Sequence, residues 1–285
     1  MTQHALISAQ ALQQALQSPG TDMLVLDCSF DLADPAAGRR AHASGHIPGA
    51  IYVSLDDTLS SAKTGRNGRH PLPERATFAR ALAALGANAG TPIVACDNAG
   101  GMVAARLWWM LRWCGHAAAS VLDGGIAAWQ AAGGALETTA PSARPPGNFA
   151  LRDSLVASVG HDALLAQLGS GERLVIDARA ADRFRGENET LDPVGGHIPG
   201  AVNRVFRSNL GADGRFKAAT ELRAEFAAIL GDRALTSVVS QCGSGVTACH
   251  NLLAMEVAGL PGAALYPGSW SEWCAQPGAP IATGG

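Results

Sequence analysis

Residues 238–248 read VVSQCGSGVTA, an apolar run that ends at Cys242 and is followed by a glycine-rich loop and then a helical pattern. A buried strand, a tight loop and a helix start would aim several backbone N–H groups and the positive end of the helix dipole at one sulfur. Glycine on both sides of Ser244 lets a ligand approach closely. The pattern predicts a reactive thiolate that is presented to a ligand. The alternative is a small hydrophobe buried at the end of a strand, the usual fate of a free cysteine.

The composition is typical of a compact protein with two domains. The chain has 285 residues, of which 47% are hydrophobic and 16% are charged. A net charge of -3 provides no electrostatic attraction to nucleic acid or to an anionic membrane. The N-terminus lacks the pattern of a secretory signal, and LWWMLRWC (107–114) is too short and too interrupted by Arg112 to span a bilayer. We therefore expect a cytoplasmic protein with no nucleic-acid or membrane partner.

Cysteine spacing argues against both a metal site and a disulfide framework. The six cysteines lie at positions 28, 96, 114, 242, 249 and 274, with no CxxC pair. This spacing predicts reduced thiols in a reducing compartment. His42 and His46 have the spacing of metal ligands on a helix, but the segment GHIPG is not helical. We expect no metal ion and no other cofactor.

Four stretches of the sequence occur twice, in the same order and 144 to 151 residues apart. The pairs are VLDCS (25–29) and VIDAR (175–179), GHIPGA (45–50) and GHIPGA (196–201), IVACDNAGG (93–101) and VVSQCGSGV (238–246), and VLDGGIAAW (121–129) and LYPGSWSEW (265–273). Solenoid repeats have far shorter periods, so the pattern predicts two copies of one domain.

The domain boundaries follow from a change in composition. Residues 133–153, GGALETTAPSARPPGNFALRD, are rich in Gly, Pro, Ala and Thr and lack apolar periodicity, as linkers do. We expect an N-terminal domain at 1–132 and a C-terminal domain at 154–285.

Each copy alternates short apolar strands with helical patterns, which predicts an α/β fold with a mostly parallel sheet and helices on both faces. In the second copy we expect helices at 161–168, 220–230 and 246–259, strands at 173–179 and 235–241, and a turn into a short strand at 196–203. Ligands bind at the carboxyl ends of such strands, where Cys242 lies. We expect His46 and His197, in the two GHIPGA turns, to bond the backbone and hold those turns.

The two GHIPGA motifs, the loop CGSGVTA and the terminal GSWSEW resemble the tandem-domain rhodanese superfamily. The loop is similar to the active-site loop of the 3-mercaptopyruvate sulfurtransferases within that superfamily. Thiosulfate sulfurtransferases generally carry two basic residues where this chain has Gly243 and Ser244. The resemblance implies that only the C-terminal copy is catalytic. The N-terminal loop agrees, because Asp97 aligns with Cys242 and a carboxylate cannot carry a persulfide.

The resemblance also implies a reaction. The Cys242 thiolate would take sulfur from 3-mercaptopyruvate as a persulfide, release pyruvate and pass the sulfur to cyanide or to a thiol such as thioredoxin. The matching residue for the donor carboxylate is Arg183, whose planar fork suits a carboxylate, with Arg185 a weaker candidate. Many members have a second arginine a few residues further on. Here the corresponding stretch, LDPVGG (191–196), offers Asp192 instead.

Further site residues come from the same comparison of motifs. In the family, the serine two residues after the nucleophile works with a histidine and an aspartate from the N-terminal copy. These match Ser244, His70 and Asp56, with Asp57 as a substitute for Asp56. The other loop residues are expected to bind the donor, chiefly through backbone N–H groups: Gly243, Gly245, Val246 and Thr247. The alternatives are an exposed loop histidine for His70 and a solvated surface arginine for Arg183.

Three other functions compete with this hypothesis. Thiosulfate is the closest rival donor, although a loop without basic residues neutralises a dianion poorly. A phosphatase of the same fold would need an arginine in the loop, and none lies between Cys242 and His250. A non-enzymatic persulfide carrier would need Cys242 but not Arg183.

Overall fold

The computed structural model describes residues 5–20 and 22–285, and this part of the chain separates into two compact units. Unit 1 consists of the described residues up to Ser61, Pro73–Leu155 and Leu210–Phe216. Unit 2 consists of Ala62–Leu72, Val156–Asn209 and Lys217–Gly285. Each unit therefore includes one short segment from the other half of the sequence.

In the described part of unit 1, five parallel strands form the sheet. The strands are β1 (Leu6–Ile7), β2 (Leu24–Asp27), β3 (Ile51–Tyr52), β4 (Ile93–Cys96) and β5 (Ala119–Leu122). The helices are α1 (Ala9–Gln17), α2 (Ala37–Ser44), α3 (Arg75–Ala84), α4 (Ala104–Trp113) and α5 (Gly125–Ala131). The order across the sheet is β1-β5-β4-β2-β3.

Unit 2 repeats this arrangement element by element. Its strands are β6 (Ala157–Ser158), β7 (Leu174–Asp177), β8 (Val202–Asn203), β9 (Val238–Gln241) and β10 (Ala264–Leu265). Its helices are α6 (His161–Ala166), α7 (Ala181–Arg185), α8 (Ala219–Leu230), α9 (Thr247–Val257) and α10 (Ser269–Trp273). The parallel order β6-β10-β9-β7-β8 matches that of unit 1, which confirms the predicted fold class.

The longer central strands are buried along their whole length. All four residues of β2, β4, β7 and β9 are buried, as expected when both faces of a parallel sheet are covered. In unit 1, α1 and α5 pack Leu12 and Trp129 against the register pair Val25 and Val94. In unit 2 the corresponding register pair of β7 and β9 lies in a cluster with Trp273 of α10. This packing places the ends of β4 and β9, and the loops that follow them, in the middle of each sheet.

The two GHIPGA histidines hold their turns, as predicted. His46 Nδ1 is 2.8 Å from the carbonyl oxygen of His42, and His197 Nδ1 is 2.9 Å from that of Phe184. The backbone N–H groups of the same two histidines donate to residues 137 and 282, later in their own units. The prediction of a structural role is confirmed.

Both predicted strands are shorter than expected, and the one predicted at 173–179 is extended only over Leu174–Asp177. Residues 235–237 form a 3-10 turn, in which the Ser237 N–H and hydroxyl both donate to the Ala234 carbonyl oxygen, and only Val238–Gln241 is extended. This local hydrogen bonding replaces strand pairing for LTS. The sequence reading also omitted the two-residue strands β6 and β10, because two residues carry no periodicity.

The segment predicted as a linker, residues 133–153, contains no helix or strand, and all of it is described. It is nevertheless attached to unit 1. The N–H groups of Gly147 and Phe149 donate to the carbonyl oxygens of Ala83 and Ala87, and Phe149 is buried. The domain boundaries proposed from composition stay a prediction.

Among the described residues, no helix combines the length and apolar character needed to cross a membrane.

Candidate active site

Cys242 directly follows β9, the middle strand of the unit 2 sheet. Its Sγ accepts hydrogen bonds from the backbone N–H groups of Ser244 at 3.4 Å and Gly245 at 3.1 Å. The loop then enters α9, so the helix dipole adds to these donors. Hydrogen bonds of this kind stabilise negative charge on the sulfur.

The loop closes tightly around the sulfur. Gly245 has a φ of +77°, and a Cβ there would overlap the Pro267 carbonyl oxygen, so only glycine fits. Cys242 is 2% exposed. The sulfur is therefore buried beneath the loop, whereas the sequence predicted a sulfur presented at the surface. The loop covers the sulfur because its backbone N–H groups have to lie close to it to form hydrogen bonds.

Ser269, a residue with a strained backbone, forms a hydrogen bond with the backbone of Cys242. Ser269 has a φ of 54° and is the only non-glycine residue with a positive φ in the described part of the chain. Its Oγ accepts a hydrogen bond from the Cys242 N–H at 3.0 Å and donates to the Tyr266 carbonyl oxygen at 2.9 Å. The sequence analysis missed this residue.

Four of the other cysteines are held as neutral thiols. Burial raises the pKa of Cys28 and Cys96 well above the usual value, and burial also raises that of Cys114. Burial raises the pKa of Cys274 to about 11. These thiols are poor nucleophiles near neutral pH.

Ser244 and His70 are brought together as predicted. His70 lies in Ala62–Leu72, the N-terminal segment that belongs to unit 2, and its Nδ1 is 2.8 Å from Ser244 Oγ. Both residues are buried. His70 is therefore not an exposed loop histidine. The pair can pass a proton in either direction, depending on the tautomer of the ring.

Asp56 lies in unit 1, in the turn at residues 55–58. Its role beside His70 stays a prediction. Asp57, the suggested substitute, is exposed, and its carboxylate lies 3.6 Å from Arg39 in a surface ion pair.

Arg183, on α7, is half-buried and already holds a carboxylate. Its Nε and Nη2 donate to Glu189 at 2.9 Å each, and Nη2 also donates to Asp192 at 3.1 Å. Burial acts to raise the pKa of Glu189, but hydrogen bonds from Arg183 and from backbone N–H groups outweigh it and leave the pKa below its usual value. The planar fork expected to take the donor carboxylate is thus occupied by Glu189. Arg185 instead forms an exposed ion pair with Glu187.

Arg69 is a second guanidinium at this site, which the sequence analysis did not single out. Its Nη1 donates to Asp192 Oδ1 at 2.9 Å and to the Leu191 carbonyl oxygen at 3.0 Å. Its backbone N–H donates to Ser271 Oγ at 2.9 Å. The only sequence signal was its position directly before His70.

Gly243 marks where the two arginines meet the cysteine loop. A Cβ added to it would lie 2.9 Å from Arg69 Nη2 and 3.7 Å from both Nη1 and Nη2 of Arg183. The remaining loop residues expected to bind the donor follow: Val246 is buried before α9 and Thr247 begins it. The loop itself supplies no cation, but two guanidinium groups flank it.

The sequence and fold match known proteins along the whole chain. The rhodanese-like domain model matches residues 8–132 and again 161–276. A Pseudomonas aeruginosa protein named "probable 3-mercaptopyruvate sulfurtransferase" is 46% identical over 286 residues, covering 100% of both chains. The thiosulfate sulfurtransferase of Bos taurus is 35% identical over 279 residues, covering 94% of this chain and 91% of its own.

A solved structure gives the same result. The 3-mercaptopyruvate sulfurtransferase from Leishmania major superposes with a TM-score of 0.84 at 30% identity, covering 96% of this chain and 75% of its own.

Proposed function

The chain belongs to the rhodanese-like family, and we propose that it transfers sulfur from 3-mercaptopyruvate through a persulfide on Cys242. It is a sulfurtransferase, like its curated relatives. The observation that carries the proposal is the Cys242 sulfur, which accepts two backbone N–H groups in a loop flanked by Arg69 and Arg183. This arrangement offers a nucleophile and, beside it, guanidinium N–H donors for the carboxylate of a small donor.

In the first step, the Cys242 thiolate attacks the sulfur of 3-mercaptopyruvate. An S–S bond forms, the C–S bond of the donor breaks, and its electron pair leaves as the enolate of pyruvate. The proton of the donor thiol ends on the enolate carbon, so the products are a persulfide anion and pyruvate. The backbone N–H groups that face Sγ stabilise the negative charge before and after the attack.

Ser244 and His70 are suited to move that proton. Their 2.8 Å contact lets the hydroxyl accept a proton from the donor thiol while the imidazole takes the hydroxyl proton, and the reverse transfer delivers a proton to carbon. We propose Asp56 as the residue that orients His70. A shuttle of this kind contributes about 10²- to 10⁴-fold to a rate.

In the second step, an acceptor removes the outer sulfur. The persulfide anion first takes a proton from water. A thiolate, either of a small molecule or of thioredoxin in a reducing compartment such as the cytoplasm, then attacks the terminal sulfur of the protonated persulfide. The S–S bond to Cys242 breaks and its thiolate returns, while the acceptor leaves as a persulfide. Cyanide would leave as thiocyanate by the same displacement.

Thiosulfate is the second candidate donor, and one observation favours it. Arg69 adds a cation that the loop sequence lacks, and its Nη2 approaches Gly243 closely. A dianion therefore has a guanidinium group to pair with that Gly243 and Ser244 do not supply.

Steady-state kinetics with both donors test the proposal. We expect pyruvate release from 3-mercaptopyruvate to have the higher kcat/KM, with thiocyanate formation from thiosulfate and cyanide the slower reaction. The opposite order would make thiosulfate the donor. A stoichiometric persulfide without turnover for either donor would indicate a carrier.

A further inference from the structure

Asp192 occupies the place where many family members have a second arginine, and its contacts give it a definite position. Oδ1 accepts from Arg69 Nη1 at 2.9 Å, and Oδ2 accepts from Arg183 Nη2 at 3.1 Å. The side chain of Asp192 is 4% exposed. One buried carboxylate therefore links the two guanidinium groups that flank the Cys242 loop.

The charges of this cluster cancel before any donor arrives. Three guanidinium groups and three carboxylates form it: Arg69, Arg179, Arg183, Asp177, Glu189 and Asp192. Burial raises the pKa of Asp192 above its usual value, the charge of Glu189 adds to that rise, and Arg69 and Arg183 oppose it. An anion that binds beside Gly243 adds uncompensated negative charge to a neutral, poorly solvated cluster.

We infer that Asp192 is a specificity-determining residue of the donor site: it holds Arg69 and Arg183 beside Gly243 and, by cancelling one of their charges, favours a monoanionic donor over a dianionic one. The inference rests on the proposed function in placing the donor beside Gly243. The inference also goes further than that function. It assigns to Arg69 the part of the absent second arginine, and it assigns to Asp192 a role in the choice of donor.

Removing the charge of Asp192 has a predictable sign. Asp192→Asn keeps the side-chain volume and an acceptor oxygen for the arginines, but it leaves the cluster with one net positive charge. A dianion responds twice as strongly as a monoanion to that change. The ratio of kcat/KM for thiosulfate to kcat/KM for 3-mercaptopyruvate should rise by about tenfold.

The matched control is Glu187→Gln. It removes one negative charge from the same stretch of chain, but Glu187 is exposed and pairs with Arg185. It should leave the donor ratio unchanged. An unchanged or lower ratio in Asp192→Asn, or an equal rise in the control, would overturn the inference.

Equilibrium binding separates this inference from the proposed function. In a Cys242→Ser background, which cannot turn over, calorimetry measures the affinity for pyruvate and for sulfate as unreactive monoanion and dianion. Adding Asp192→Asn should strengthen sulfate binding more than pyruvate binding. If the wild type releases no pyruvate from 3-mercaptopyruvate, the proposed function fails, whereas the sulfate-to-pyruvate comparison still decides the role of Asp192.

Arg69 has its own test in the same background. Arg69→Gln should weaken pyruvate binding on the order of tenfold, because one charge-assisted hydrogen bond is lost, and Arg69→Lys should recover part of the loss. Arg66→Gln is the control, since Arg66 lies in the same segment but is exposed. If Arg69→Gln binds pyruvate as well as Arg66→Gln does, Arg69 does not bind the donor.

Discussion

The loops after β4 and β9 surround their first residue in the same way but hold different groups. In unit 1, the Asp97 carboxylate accepts four backbone N–H groups, from Ala99, Gly101, Val103 and Ala104, at 2.8–2.9 Å. In unit 2, the Cys242 sulfur accepts two, at 3.4 and 3.1 Å. The strand-loop-helix thus directs backbone N–H groups at one side chain in both copies. In unit 1 that side chain is a carboxylate, and in unit 2 it is a thiol sulfur.

The largest effect should come from the nucleophile. Cys242→Ser replaces the sulfur with an oxygen that cannot form a persulfide, so turnover should be abolished. Intact-mass analysis after exposure to donor should show one added sulfur on the wild type and none on the variant. At pH 8 the Cys274 thiol stays protonated, because its pKa is about 11. Added sulfur that persists on Cys274 or Cys249 in the variant would disprove a unique role for Cys242.

The second test concerns the residue two places after the loop's first residue, which is Ser244 in unit 2 and Ala99 in unit 1. Ser244→Ala gives the unit 2 loop the unit 1 residue and removes the partner of His70. We expect kcat with 3-mercaptopyruvate to fall about 10²-fold, the lower end for a lost acid–base group. His70→Gln should cost a similar factor, and the double variant should cost little more. Additive losses would mean that the two residues do not act as a pair.

The third test removes the guanidinium group of Arg183, which has no counterpart at the equivalent position of unit 1. The Ala41 carbonyl oxygen accepts the Gly45 N–H as that of Arg183 accepts the Gly196 N–H, so Ala41 stands at the corresponding position of unit 1. Arg183→Ala should lower kcat/KM for 3-mercaptopyruvate on the order of ten- to a hundredfold, since a charge-assisted hydrogen bond is worth about 1.5–3 kcal/mol. The loss for thiosulfate, which has no carboxylate, should be smaller. Equal losses for both donors would indicate that Arg183 serves chiefly to hold Glu189.

The sequence predicted what depends on local pattern. Apolar runs such as LVID and VVSQ located the central strands, and the glycines around Ser244 located the nucleophile loop. It did not predict contacts between distant segments: Arg69 and Asp192 pair across 123 residues. One signal in the aligned repeats was overlooked. Ser269 stands where the first copy has Gly125, and a serine at a glycine position indicates a residue with a special backbone conformation.

The fourth test replaces Asp97, whose carboxylate accepts the backbone N–H groups of the unit 1 loop. Asp97→Ala leaves four buried N–H donors without their acceptor, and the cost should be about 3–5 kcal/mol of unfolding free energy. Denaturant titration measures this difference. Asp97→Asn, which keeps one acceptor oxygen, should lose less. A loss under about 1 kcal/mol for the alanine variant would mean that the unit 1 loop does not need its anion.

The smallest effect should come from the position that Gly125 occupies in unit 1 and Ser269 occupies in unit 2. Gly125 has a φ of 59°, and a Cβ there would overlap the Asp97 carbonyl oxygen, whereas Ser269 accepts a φ of 54° and bonds the Cys242 N–H. Ser269→Gly and Ser269→Ala both lose that hydrogen bond, at about 1 kcal/mol. Glycine also removes the strain of a positive φ, roughly another 1 kcal/mol, so the glycine variant should be the more stable of the two.

The rate of persulfide formation in a single turnover separates positioning from stability. If Ser269 orients the Cys242 backbone, both variants should slow that step several-fold while binding pyruvate normally. If Ser269→Gly forms the persulfide at the wild-type rate, the Ser269 hydroxyl only compensates for the strain of its own backbone. A glycine, as at Gly125 of unit 1, would then serve equally well in unit 2.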